Sequence, residues 1–323
     1  MPLFSVTIPA FKPTFLQETI ESVLAQTYTD FELIIVNDAS PYDIDSVVKP
    51  FLGDSRLRYF TNEHNCGARR VVDNWNICLS HACGQYVCCI GDDDTLTPSY
   101  LADFAQLIAR YPQVDLLHAR SVIIDEHSQI IQELELRPEW ESVWSLMWNP
   151  RNTHLGDFMF KTSTLRANGG YYNLPYGWAA DDLSAFTAAA SHGVCNTQRV
   201  GFCYRGNGES ISHDMSCIED KIRAYQHWGE WVQRFCQQQP DNAEDRRYRD
   251  LIAANREDYV AGHIDDMVEW DMRKQPCRRS LFWLFNHARF GITWHRYLRS
   301  YLRAMKHILR AQAARLRFPG SSC

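Results

Sequence analysis

The sequence predicts an α/β fold, a mixed and mostly parallel sheet flanked by helices, followed by a helical C-terminal region. Three observations predict it. Strand-like and helix-like patterns alternate over the first 110 residues, which is how a chain builds a parallel sheet with its crossovers packed on the faces. Residues 31–36, Phe-Glu-Leu-Ile-Ile-Val, are apolar almost throughout, as a strand covered on both faces must be. From about Cys217 the periodicity is helical to the end, so a domain of residues 1–215 and a helical region of residues 216–323 follow. With 323 residues, 45% hydrophobic and 22% charged, the chain can bury a core of ordinary size, which excludes disordered, collagen-like and disulfide-scaffold classes.

Taken in order, Ser5–Ile8 is a β-branched run predicted to stop at Pro9, which has no N–H for a sheet ladder. Thr14 and Gln17 form a capping-box pattern, and Leu16, Ile20, Val23 and Leu24 recur at helical spacing, predicting a helix to about Gln26. The strand at 31–36 runs into Asn37-Asp38, which places an acid at its C-terminal end. Leu57–Phe60 reads as a third strand, Val71–His81 as a helix, and Gln85–Ile90 as a fourth strand ending at Gly91-Asp92-Asp93-Asp94. Thr97 is expected to cap the next helix with Pro98 at its first position. Residues 116–124 form another strand, the aromatic-rich stretch 125–155 has no assignment, and a helix at 183–192 follows Asp181-Asp182 with Gly193 as its stop.

The eleven cysteines are scattered with no CxxC pair, so reduced, mostly buried thiols are expected and a zinc site is not. No secretory leader or membrane-spanning run is visible in the sequence, which leads to the expectation of a cytoplasmic protein. Net charge is −6, but residues 272–323 hold 12 Lys or Arg and no acid, leaving 21 basic against 39 acidic residues before them. Trp283, Phe285, Phe290, Trp294, Tyr297, Leu298, Tyr301, Leu302 and Leu309 are interspersed so that apolar and basic faces can separate on a helix. Such a helix suits an anionic membrane surface, at about 1 kcal/mol per cation near the lipid. Packing against the first domain is the plainer alternative, and nucleic acid is not an expected partner.

Three consecutive aspartates after a buried strand repel one another unless a cation sits among them. Mg²⁺ or Mn²⁺, which takes one or two carboxylates together with phosphate oxygens, matches that need. An acidic surface turn that caps the next helix is the alternative. Ligands of parallel α/β sheets bind beyond the carboxyl ends of the strands, where both Asp38 and the triple Asp lie.

The motifs together resemble the family-2 glycosyltransferases with the GT-A nucleotide-sugar fold. Ser5 to Phe11 looks like that family's first strand and nucleotide-binding turn, and Leu33 to Ser40 like its second strand with the acid that contacts the base. Asn65-Cys66-Gly67, Asn74-Trp75-Asn76 and Ala82 to Val87 match the approach to its metal motif, reached at Gly91 to Asp94. The family writes that motif Asp-x-Asp-Asp with a Pro four residues on; here Pro98 fixes the alignment, so Gly91 occupies the first acidic position. Gly156 to Lys161, Gly169-Gly170-Tyr171 and Trp178 to Leu183 resemble its acceptor-side region. Gly193, eleven residues after Asp182, sets Asp182 at the catalytic-base position with Asp181 in place of a Glu. The resemblance spans about residues 4–213.

That resemblance implies an inverting transferase moving a sugar from a nucleotide diphosphate, UDP by default, to a hydroxyl of a glycan or lipid-linked acceptor in bacterial surface polysaccharide synthesis, on the inner face of the plasma membrane. It assigns nucleotide contacts to Thr7, Pro9, Ala10, Phe11, Asp38, Gly67 and Asp92, metal contacts to Asp93, Asp94 and His213, and catalysis to Asp182 with Asp181. Plainer roles stay open: a helix cap for Asp182, a turn residue for Asp38, strand positions for Thr7 and Pro9. Arg69, Arg70 and Arg205 are candidates either for phosphate contacts or for a solvated basic face. Two rival readings are a catalytically silent binding protein of the same fold, favoured by Gly91, and a nucleotidyltransferase, disfavoured by the lack of a glycine-rich loop after the first strand.

Overall fold

The computed structural model describes residues 1–149, 153–206 and 217–317. Its elements are β1 Phe4–Ala10, α1 Leu16–Leu24, β2 Phe31–Asn37, α2 Ile44–Val48, β3 Leu57–Thr61, α3 Val71–His81, β4 Tyr86–Cys89, β5 Thr95–Leu96 and α4 Tyr100–Arg110. They continue as β6 Leu116–Ile124, β7 Ile130–Glu133, β8 Trp140–Glu141, α5 Val143–Trp148, β9 Phe158–Lys161, α6 Thr162–Ala167, α7 Ala180–Ala189 and β10 Val194–Arg205. Four long helices follow: α8 Ile218–Phe235, α9 Ala243–Lys274, α10 Pro276–Asn286 and α11 Trp294–Arg317. The chain divides into two compact units, Met1–Ile211 with Pro240–Arg249, and Ser212–Gln239 with Asp250–Cys323.

In the first unit the sheet runs β3-β2-β1-β4-β9-β6-β10-β5, with β7 beside β6 and β8 beside β10. β3, β2, β1 and β4 are parallel, β6 and β10 are parallel, and β9 lies antiparallel between β4 and β6. Every residue of β2 is buried, as its apolar run requires. One core cluster joins Phe4, Val6 and Ile8 of β1 with Ile20 and Val23 of α1 and Leu101, Phe104 and Leu107 of α4. The carboxyl ends of β1, β2 and β4 thereby lie side by side, carrying the turn after Ala10, Asp38 and the triple Asp.

Several expectations are corrected. β1 continues through Pro9 to Ala10, because Pro9 faces the side on which β4 has already ended; the last bond there is from the Ile90 N–H to the Thr7 carbonyl. The Thr14 capping box does not form: Phe15 is the N-cap of α1, and the Gln17 amide donates forward to Glu21. α1 stops at Leu24, and the Gln26 side chain bonds the Thr97 carbonyl and the Leu101 N–H instead. Thr97 does not cap α4 either. Its hydroxyl goes to the Val200 carbonyl as β5 pairs with β10, and Ser99 holds the N-cap position. α7 starts at Ala180, so the acidic pair lies in its first turn, not before it. Gly193 is left-handed with φ +72°, and a Cβ there would sit 2.3 Å from the Glu141 carbonyl oxygen, where β8 crosses the start of β10. The unassigned aromatic stretch supplies β7, β8 and α5, with Trp144 and Met147 buried. The ten cysteines among the described residues are free thiols, five of them buried.

In the second unit, three buried acids of α9 hold cations of the tail. Asp265 pairs with Arg296 at 2.8 Å, Glu269 with Arg303 at 2.7 Å, and Asp271 with Arg279 at 2.5 Å while also accepting from the Trp283 indole N–H. The basic tail therefore does not turn its whole charge outward, as its composition suggested. None of the described helices is long and apolar enough to cross a membrane.

Candidate active site at the carboxyl ends of the strands

The nucleotide-side residues gather around β1. The Asp38 N–H continues the ladder to the Ala10 carbonyl, and the Asp38 carboxylate Oδ1 accepts from the Asn62 amide at 2.8 Å and from the Cys66 N–H at 3.0 Å. The Asn65 amide closes the loop onto the Asp38 carbonyl at 2.8 Å. Gly67 follows with φ +74°, a left-handed conformation that favours glycine, and a Cβ there would only touch the Asn65 amide oxygen at 3.5 Å. Thr7 is wholly buried with its hydroxyl on the Cys88 carbonyl, so it braces β1 against β4; Pro9 and Ala10 lead to Phe11, whose ring is partly exposed beside Tyr42.

The three aspartates do three different things. Asp92 reaches across to the turn after β1, where its Oδ2 accepts from the N–H groups of Phe11 at 2.7 Å and Lys12 at 2.6 Å. Burial, with the neighbouring Asp93 charge, pushes Asp92 up to about 6. Asp94 points inward and accepts from the N–H groups of Gly91 at 3.2 Å and Arg205 at 2.9 Å, and burial and Asp93 raise it well above the carboxylate range. Asp93 sits between them and contributes repulsion to both.

The acceptor-side pair is built at the start of α7, where Ala179 is left-handed at φ 60°. The Asp182 N–H donates to Asp181 Oδ1 at 3.0 Å, and the Thr153 hydroxyl donates to Asp182 Oδ1 at 2.9 Å. Burial first, then the Asp182 charge, raises Asp181 well above the ordinary range. Wholly buried Asp157 accepts from the His154 N–H at 2.7 Å and from the Ser121 hydroxyl, and it adds repulsion to both Asp94 and Asp181. The segment 153–157 thus lies beside both acidic clusters, with Thr153 on Asp182 and Gly156 packed against Ile90. His213 lies outside the described residues.

Arg205 is neither a phosphate contact on display nor a solvated cation. It is fully buried and stacks on Phe15 at 4.3 Å; its guanidinium donates to the Asp93 carbonyl, the Asp125 carbonyl, the Ser128 hydroxyl and Glu18. Three other segments of the chain meet on this one side chain, directly behind the triple-Asp turn. Asp157, His154, Thr153 and the bracing role of Arg205 were not singled out from the sequence. A Tyr-Arg pair ending a strand was the visible signal for the last, and the others carry none.

A family model, glycosyl transferase family 2, matches residues 5–168. The chain belongs to that family. The matched residues include Asp38 and the triple Asp, whereas Asp181 and Asp182 lie beyond them. Among curated relatives, the GalNAc(5)-diNAcBac-PP-undecaprenol beta-1,3-glucosyltransferase of Campylobacter jejuni is 33% identical over 108 residues, 33% of this chain and 34% of that protein. The putative glycosyltransferase EpsE of Bacillus subtilis is 29% identical over 113 residues, 34% of this chain and 40% of that protein. The matched stretches thus cover well under half of these relatives' own lengths. The structure of S. aureus TarS residues 1–349 with UDP-GlcNAc superposes with a TM-score of 0.63 at 16% identity, covering 96% of this chain and 92% of that one. The mannosyltransferase PcManGT of Pyrobaculum calidifontis, solved with GDP-Man and Mn²⁺, gives 0.55 at 16% identity, covering 99% and 88%. Both likenesses show the GT-A fold.

Against the family-2 pattern, Gly91 is the departure, and the structure shows what it accommodates. A Cβ at Gly91 would lie 2.8 Å from both Asp93 Oδ1 and Asp94 Oδ2, so an acid here would require both carboxylates to shift. The remaining acids suit a hard divalent cation, whose charge would relieve the repulsion that raises Asp92 and Asp94. Among the described residues no three His, Cys, Asp or Glu side chains converge on one point.

Proposed function

We propose that this family-2 protein is a metal-dependent, inverting glycosyltransferase that moves a sugar from a nucleotide diphosphate, a UDP-sugar first, to a hydroxyl of a glycan or lipid-linked acceptor in bacterial surface polysaccharide synthesis. One observation supports it most: the segment 153–157 runs between the two acidic clusters, with the Thr153 hydroxyl on Asp182 and Gly156 packed against Ile90 at the start of the triple-Asp turn. Asp38, Gly67 and the Ala10-Phe11 turn would hold the base and ribose, with Asp92 fixing that turn through two N–H groups. Asp93, with Asp94 behind it and His213 as a further candidate, would hold Mg²⁺ or Mn²⁺, which supplies charge neutralisation to the departing diphosphate. Asp182 takes the proton of the acceptor hydroxyl as its oxygen bonds the anomeric carbon; the bond from that carbon to the diphosphate oxygen breaks, and the nucleoside diphosphate leaves. Burial and the Asp182 charge raise Asp181 well above the ordinary carboxylate range. The named activities of the C. jejuni glucosyltransferase and the ligands of TarS and PcManGT support this donor and acceptor chemistry. A cytoplasmic enzyme held peripherally at the inner membrane face accords with a lipid-linked acceptor.

The test is a panel of sugar nucleotides assayed for hydrolysis and transfer with Mg²⁺ or Mn²⁺, beside Asp93→Ala. The native protein should turn over one donor with either cation, and Asp93→Ala should raise the cation concentration for half-maximal rate by at least about 10–100-fold. Gly91 favours a second reading, a silent nucleotide-sugar-binding protein. Calorimetry of UDP with and without Mn²⁺ separates them: cation-dependent binding with no turnover of any donor would select the silent protein.

A further inference from the structure

We infer that α11 carries a docking face for an anionic lipid bilayer, and that this face is one defined stripe of the helix rather than the whole basic tail. At 3.6 residues per turn, Trp294, Leu298, Leu302, Met305 and Leu309 fall on one line. Trp294 is 54% exposed, Leu298 41%, Leu302 59% and Leu309 64%, an uncovered row of large apolar side chains. Immediately beside it, on one flank, run His295, Arg299, Lys306 and Arg310, all exposed. The next row around the helix is Arg296, Arg303 and His307, and these face the α9 acids Asp265, Asp266 and Glu269. Tyr297, Ser300 and Ala304 complete the circuit on the buried side. The helix thus sorts its cations: one row answers acids of its own unit, and the other borders the exposed leucines.

The two rows meet in a groove of about 370 Å³ lined by His295, Leu298, Arg299, Leu302, Arg303 and Lys306. Alternating leucine and cation is the pairing that a phosphate headgroup above an acyl chain requires. A second copy of the chain is the poorer occupant, because apposing two such faces sets Arg299, Lys306 and Arg310 against the same cations. Nucleic acid would satisfy the cations and leave the leucines in water. An anionic bilayer satisfies both. This extends the peripheral placement proposed above, and it stands or falls separately from the transferase reading because its assay needs neither donor nor acceptor.

The full-length protein is sedimented with phosphatidylcholine vesicles, with and without phosphatidylglycerol, over a range of salt. Binding should appear with phosphatidylglycerol and weaken as salt rises. Arg299→Gln with Lys306→Gln should lower the vesicle affinity about 10–30-fold. Leu302→Ser with Leu309→Ser, both exposed and so harmless to folding, should lower it comparably while salt sensitivity persists, and donor turnover should be unchanged in both double variants. Equal binding to neutral vesicles, no binding to anionic ones, or indifference to the substitutions overturns the inference. So does a dimer in light scattering that Leu302→Ser converts to a monomer, which would identify a second copy as the occupant.

Discussion

The two acidic clusters of the first unit are alike in sequence and opposite in construction. At the triple-Asp turn, Asp92 receives two backbone N–H groups from the turn after β1, and Asp94 one from Gly91 in its own turn and one from Arg205, so these carboxylates hold the β1 turn and the end of β10 in place. At Asp181-Asp182 the donors include backbone N–H groups of the pair itself and the hydroxyl of Thr153. At both clusters burial and a neighbouring aspartate outweigh the donors, so Asp92, Asp94 and Asp181 are all raised; the difference lies in what the donors tie together. The first cluster ties the turn that carries Asp93 to two other strand ends, and the second stands in the first turn of α7, where Asp182 is the proposed base.

The largest effect that would break this contrast is at Asp182. Asp182→Asn keeps the size and the Thr153 contact but removes the base, and should lower kcat about 10²–10⁴-fold with donor affinity by calorimetry unchanged. A variant with normal kcat would make Asp182 a helix-start residue only. Arg205 tests the first cluster. Arg205→Met leaves the Asp93 and Asp125 carbonyls and Glu18 without their donor, and should lower unfolding free energy by about 3 kcal/mol in urea titration. A role confined to stability would stop there. A role in positioning Asp93 predicts that Arg205→Lys, which keeps the charge but not the planar fork, also raises the Mn²⁺ concentration for half-maximal activity.

How much of this was legible in the sequence follows from the range of each interaction. β2 could be read because burial on both faces leaves an apolar run, and Asp38 because it ends that run. Family resemblance placed Asp92 to Asp94 together, but not their division of labour, which depends on which N–H groups the rest of the fold brings near. Arg205 was unreadable as a brace because its partner Glu18 is 187 residues away and the others come from two further turns. The α1 capping box failed for a local reason, since Gln17 had a partner in Glu21 on its own helix. In the tail, composition gave the charge excess but not its sorting, which rests on the packing of α11 against α9.

The smallest effect is the sharpest on the first cluster itself, because it reads a single carboxylate. Asp92 is raised to about 6 in the folded protein, against about 4 in the unfolded chain. The folded state therefore holds this proton more tightly, and from pH about 4 to 6 the unfolded state binds fewer protons, so stability falls as pH rises through that window and is level above it. Asp92→Asn cannot titrate and can still accept from Phe11 and Lys12 through its amide oxygen. The variant should gain about 1–2 kcal/mol over the native protein at pH 7–8, less than the full shift implies because the site is partly open to solvent, and the gain should vanish near pH 4. Mn²⁺ with UDP should narrow the gap by neutralising the cluster in the native protein. A pH-independent difference between the two proteins would mean that Asp92 is already ionised without strain, and that its two N–H donors alone carry the turn.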